Sequence, residues 1–173
     1  MLDVTILTII VYTLANSFTY YLGNSQCKQA PLHDVIHNML PNLADYVHVR
    51  DVVLLLFFIP FFWVKQKKEF ILSLWGSFLL IVLVKAVSIF FTYIPSSNPN
   101  CGKENYVNHC HHNSTSGHAS LCLMLIYYYV QYSALTPISY IAVPLYCILI
   151  AMTRAHYTVD IIQGLIISYL IVK

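Results

Sequence analysis

Apolar residues in this chain gather into long continuous runs separated by short polar clusters, with neither strand-like alternation nor a one-sided helical stripe. Runs 4–22, 70–94 and 115–134 each approach the roughly 20 residues that a helix needs to cross the ~30 Å hydrocarbon layer of a bilayer. Three further stretches, 51–66, 136–153 and 158–172, are shorter. The first of these carries Pro60, and the last two are parted only by Arg154, Ala155, His156 and Tyr157. The pattern predicts an all-α fold: a polytopic membrane protein with six transmembrane helices in one domain over residues 1–173. Short spans fit by local bilayer thinning or by burial within the bundle. The first run lacks a basic leader and a small-residue cleavage site, so it reads as a retained helix.

Composition strengthens this reading. With 58% hydrophobic and 9% charged residues and a mean hydropathy of +0.67, the chain carries more apolar surface than 173 residues can hide from water. A net charge of +2 without any long Lys/Arg run argues against nucleic acid as a partner. Six crossings would put residues 23–50, 95–114 and 154–157 on one side. Lys65, Lys67 and Lys68, between the second and third helices, favour the cytosol for their own loop, so the polar loops are expected to be luminal or extracellular. Cys27, Cys101 and Cys110 fall in those loops, where a Cys101–Cys110 disulfide and free thiols are equally compatible with the sequence.

Chemistry-bearing residues sit at the edges of the apolar runs. His156 and Asp160 are four apart, one above the other on a helical turn, so that the carboxylate can orient one ring nitrogen and leave the other for nucleophilic or base chemistry. The same pair also suits a plain helix cap. Ser116 and Gly117 open the fourth run, where unpaired N–H groups and the helix dipole favour a phosphate, with His118 beside them. Lys85 lies well inside the third run and needs a partner, a wet cavity or a path to the surface. Arg154 could grip phosphate oxygens or serve as an interfacial anchor. His109-Cys110-His111-His112 offers zinc ligands, but adjacent side chains cannot converge on one ion, and no metal is expected.

Four segments, in order, resemble the sphingomyelin synthase family of the lipid phosphatase/phosphotransferase superfamily. Pro31-Leu32-His33-Asp34 is similar to its Pro-Leu-Pro-Asp motif. Lys85 through Pro95 is similar to its third-helix motif of a basic residue followed by a threonine-rich turn and proline. Cys110, Ser116, Gly117 and His118 match C-G-D-x-x-x-S-G-H at identical spacing, and His156-Tyr157-Thr158-Val159-Asp160 matches the last motif throughout. The chain departs from the pattern at His111-His112, which replace Gly-Asp, and at Ala119, which replaces threonine.

The resemblance implies transfer of a phospho-headgroup, phosphocholine favoured, from a glycerophospholipid to ceramide, with diacylglycerol released and no cofactor. It gives catalytic roles to His118, His156 and Asp160. It gives phosphate or substrate contacts to Lys85, Arg154, Ser116, Gly117, Tyr157 and Asp34. Membrane lipids are the implied partners, with a homo-oligomer, the headgroup and the organelle (Golgi, endoplasmic reticulum or plasma membrane) left open. Alternatives are a lipid phosphate phosphatase, a diacylglycerol cholinephosphotransferase, or a non-catalytic lipid-binding protein, for which His111-His112 is the support. The phosphatase pattern asks for arginine where Thr92 stands and for five residues between arginine and the last histidine, against one between Arg154 and His156.

Overall fold

The computed structural model describes residues 6–14, 17, 31–91, 94–98 and 115–173. Those residues form helices and turns and no strand, in agreement with an all-α fold. We label the helices α1 (6–14), α2 (Val35–Met39), α3 (His48–Leu56), α4 (Lys67–Phe91), α5 (Gly117–Gln131), α6 (Ala142–Met152) and α7 (Thr158–Val172). Tight 3-10 turns at Ala44–Tyr46, Ile59–Trp63 and Pro137–Ile141 join them.

Local chemistry explains most boundaries. Asp34 caps α2 by accepting from the backbone N–H groups of Ile36 and His37, and the helix stops at Leu40, held extended ahead of Pro41. Ser116 caps α5 by accepting from Ala119 N–H. Stretch 51–66, expected as one span, instead breaks after Leu56 and tightens into the Ile59–Trp63 turn, because Pro60 has no N–H for an α-helical ladder. Stretch 136–153 likewise opens as the Pro137–Ile141 turn before α6. Segment 23–50, expected as a loop, holds α2, the Ala44–Tyr46 turn and the start of α3.

Among the described residues only Lys67–Ser88 is long and apolar enough to cross a membrane, while Pro137–Met152 and Thr158–Val172 are apolar but shorter. At about 1.5 Å per residue, the 15 residues of α7 span roughly 22 Å.

Helix α5 lies at the centre, packed against α4, α6 and α7. Met124, Leu125, Tyr128 and Tyr129 meet Phe70, Leu74, Phe78 and Ile81 of α4, with Phe70 stacked on Tyr129 at 4.9 Å. Two hydroxyl pairs, Ser77–Tyr128 at 2.6 Å and Ser73–Tyr132 at 3.1 Å, tie the same two helices. On the other side Ala119, Cys122 and Ile126 join Val143, Tyr146, Ile150 and Ile161 of α6 and α7.

Helices α5 and α7 approach each other closely at Gly164. A β-carbon there would lie 2.7 Å from Ser116 O and 3.0 Å from Ser120 Oγ. Ser120 Oγ in turn donates to the carbonyls of both Ser116 and Gly164, and Ser116 N–H donates to Asp160 O at 3.0 Å. Because the obstructing Ser116 oxygen belongs to the backbone, it cannot swing away. Gly164→Ala is therefore expected to lower stability by about 1–3 kcal/mol, the usual cost of overpacking. Unfolding in detergent checks this, and an unchanged midpoint would mean that the two helices separate freely.

Candidate functional site

Helices α3, α4, α5 and α7 converge at one end of the bundle. His118, on the first turn of α5, points Nε2 at Asp51 Oδ1 of α3 at 2.8 Å. Asp51 also accepts from Arg50 Nε at 3.2 Å, and α6 fixes this turn through Tyr146, whose hydroxyl donates to Arg50 O at 3.0 Å. His156 faces His118 with ring centroids 6.4 Å apart. The Nδ1 of His156 lies 3.7 Å from Asp160 Oδ2. Lys85 is within electrostatic reach of Asp160, Arg50 and His118. Two histidines, each beside a carboxylate, thus share a space bordered by Arg50 and Lys85.

The His156–Asp160 pair differs in detail from its expected form. The i,i+4 spacing does bring the groups together, but 3.7 Å is longer than a hydrogen bond. Asp160 Oδ2 accepts instead from Tyr157 N–H at 3.1 Å, so the carboxylate caps α7 and faces the histidine at once. Asp160 Oδ1 is buried without a hydrogen-bond partner among the described residues. The capping role and the orienting role, which the sequence offered as alternatives, fall on the same side chain.

Of the other expected site residues, Lys85 reaches the site from α4, and Ser116 and Gly117 open α5 beneath it. Ser116 is fully buried as the α5 cap and in contact with α7. A side chain at Gly117 would meet nothing within 4 Å among the described residues, so the backbone beside His118 is open to approach. Asp34, Tyr157 and Arg154 make structural hydrogen bonds, and Arg154 Nη1 is buried with no hydrogen-bond partner among the described residues. Asp34 receives Thr158 N–H at 2.6 Å and Thr158 Oγ1–H at 2.8 Å while also capping α2, which leaves it a joint between two helix starts and no ligand for an anion. Tyr157 Oη accepts from Leu32 N–H at 2.7 Å and donates to Ser96 O at 3.3 Å. Arg154 adopts a left-handed backbone with φ 54°, gives Nη2 to Leu40 O at 3.0 Å, and receives Ser97 Oγ on its carbonyl.

Arg50 and Asp51 were missed as site residues. Their signal was available: an adjacent charged pair at the edge of an apolar run is a functional position by default. The His109–His112 run and Cys27, Cys101 and Cys110 lie outside the described residues. Among the described ones no cluster of three metal-ligating side chains forms, and Cys122 and Cys147 are free thiols.

No protein-family model matches the chain, and no curated protein matches it.

Electrostatics around the Asp34 joint give a pH test. Burial alone would raise the Asp34 carboxyl, but the backbone and hydroxyl of Thr158, the His37 N–H and the His37 ring bring it below its ordinary 3.8. Burial holds the His37 imidazole below its ordinary 6.5, and Arg154 adds to that push, against the opposing pull of Asp34 and the His156 carbonyl. In both cases the unfolded chain binds its proton first, so stability rises with pH. The Asp34 contribution is present above pH 3.8 and lost as pH falls through the lower folded value. Detergent-solubilised protein should lose stability as pH falls below about 4, with a shallower slope in Asp34→Asn. Identical slopes in the two proteins would remove Asp34 from this joint.

Proposed function

We propose that the chain is a membrane-embedded phospholipid:ceramide headgroup phosphotransferase, resembling sphingomyelin synthases, with phosphocholine the favoured headgroup. The observation that carries this reading is the facing pair His118 and His156, 6.4 Å apart and each beside its own carboxylate. Both rings border one space, the arrangement required for one imidazole to attack phosphorus while the other serves the oxygen in line with it.

In the first half-reaction His156, its Nδ1 turned toward Asp160, attacks phosphorus through Nε2. The P–O bond to diacylglycerol breaks, and protonated His118 gives its proton to the departing oxygen. In the second half His118 takes the proton of the ceramide primary hydroxyl, whose oxygen forms the new P–O bond as the phosphorus–His156 bond breaks. Asp51 stabilises the His118 imidazolium formed in that step, as a carboxylate held at 2.8 Å does. Lys85 and Arg50 offset charge on the non-bridging oxygens, together with the first N–H groups of α5.

A bilayer setting with six crossings is part of the same proposal. Support comes from α4, whose apolar stretch within Lys67–Ser88 has a mean hydropathy of 2.3 yet lies mostly unburied, the reverse of a soluble core helix. Large apolar side chains such as Phe62, Trp63, Leu80, Ile138, Leu145 and Leu170 likewise point outward.

Two outcomes are expected. In vesicles with labelled ceramide and a panel of phospholipids, the wild type forms a ceramide phospho-headgroup product, identified by mass. His156→Ala and Asp160→Asn abolish that transfer, and Asp51→Asn lowers it by about 10²–10⁴, the usual worth of acid–base assistance. Full activity in the His156 or Asp160 variant would end this mechanism. In a protein with Cys27, Cys101 and Cys110 replaced, a cysteine at the exposed Met39 should react with an impermeant thiol reagent from the luminal side. Labelling from the cytosolic side alone would invert the topology.

A further inference from the structure

The structure assigns His37 as a positioning residue for His156: His37 clamps the peptide that follows the reacting histidine. The argument starts from where the His156 carbonyl sits. Helix α7 begins at Thr158, and its first ladder bonds run from Asp160 N–H and Ile161 N–H to Tyr157 O. The His156 carbonyl therefore lies one peptide before the first of these ladder bonds. A donor arrives from α2, where His37 Nε2 stands 3.0 Å from His156 O across 119 residues of chain.

A carbonyl oxygen only accepts, so Nε2 must carry the hydrogen. Three neighbours hold the ring in that pose. Asp34 Oδ2 lies 3.9 Å from the same nitrogen. The Tyr157 ring stacks on the imidazole at 6.0 Å and 21°. Arg154, from the α6–α7 turn, discourages a positive charge on it. His37 itself is buried.

The other end of the same peptide unit is also held. Its N–H, that of Tyr157, donates to Asp160 Oδ2 at 3.1 Å. One rigid plane is thus fixed at its oxygen by His37 and at its nitrogen by Asp160. That plane sets ψ of His156 and so the direction in which the imidazole leaves the backbone. With His37 removed, the plane loses its anchor on α2, and the imidazole shifts relative to Asp160 and His118. Misplacement of a reacting group by about 1 Å can cost on the order of a hundredfold in rate while leaving substrate binding intact.

This assignment rests on the phosphotransferase reading for its kinetic arm but not for its spectroscopic one. Three full-length proteins in phospholipid nanodiscs decide it: wild type, His37→Phe, which keeps the stacking on Tyr157 without a donor, and His37→Gln, which restores an N–H donor. For kinetics, His37→Phe should lower kcat by about tenfold to a hundredfold with KM nearly unchanged, and His37→Gln should recover most of the loss. For geometry, the His156 ring signals in ¹⁵N-histidine spectra, located by their absence in His156→Gln, should move in His37→Phe and return in His37→Gln.

Unmoved His156 signals in His37→Phe overturn the assignment, whether or not the protein turns over any lipid. So does a His37→Gln variant as impaired as His37→Phe, or a kcat loss that merely follows lowered thermal stability. If His37→Phe does not fold, the comparison of wild type with His37→Gln stands alone, and displaced His156 signals in that folded variant count against the clamp. A wild type that transfers no headgroup to any acceptor, with His156 signals still responding to His37, defeats the phosphotransferase reading and leaves the clamp in place.

Discussion

Everything at the candidate site depends on how closely α5 and α7 approach each other. At Gly164 the missing side chain lets the Ser116 backbone of α5 rest directly against α7, and a β-carbon there would collide with a peptide oxygen at 2.7 Å. Two polar links form only because of this contact: Ser116 N–H to Asp160 O, and Ser120 Oγ–H to Gly164 O. Both lie within one turn of the residues of interest. His118 is two residues beyond Ser116, and Asp160 is itself the acceptor. A bulkier crossing would move the start of α7, and His156 just before it, away from His118 on α5 by up to a side-chain layer.

A second layer of polar contacts works from outside the bundle. Residues 31–43 lie along the turn from Met152 to Thr158 and are tied to it at intervals. Leu32 N–H meets the Tyr157 hydroxyl, Asp34 receives Thr158, His37 meets the His156 carbonyl, Leu40 O accepts from Arg154, and Leu43 N–H donates to Met152 O. The turn needs that support because Arg154 has positive φ without being glycine, a conformation costing of order 1–3 kcal/mol that persists only when its surroundings hold it. Asp34, Tyr157 and Arg154, expected to grip phosphate, all make contacts here. They shape the turn that carries His156.

The arrangement of charge follows from the same packing. Lys85 enters from α4, whose surroundings are otherwise apolar, and finds Asp160 on α7. Arg50 and Asp51 arrive together on α3, so that a cation and an anion enter the site as neighbours and only Asp51 engages His118 directly. Each ionised group sits near an opposite one, which is what allows several of them to occupy an otherwise apolar bundle end.

The sequence by itself determined the helical class, the run that becomes α7 at 158–172, the helix start at Ser116 and Gly117, and the nearness of His156 to Asp160. All of these are local, since periodicity, capping and i,i+4 spacing act within a turn or two of chain. Pro60 was visible too, although its effect, a break into a tight turn, exceeded what a short span suggested. Only the tertiary structure decided which carboxylate serves His118, which ring holds the His156 carbonyl, and that Asp34 joins two helices. Those pairs are separated by 67, 119 and 124 residues. Their meeting depends on how the elements pack, and the close crossing of α5 and α7 depends on one glycine whose importance lies in the backbone packed against it. A pattern of apolar and polar positions records which faces prefer burial. It does not record how near two backbones may come, and it is that distance which turns two separate histidines into one site.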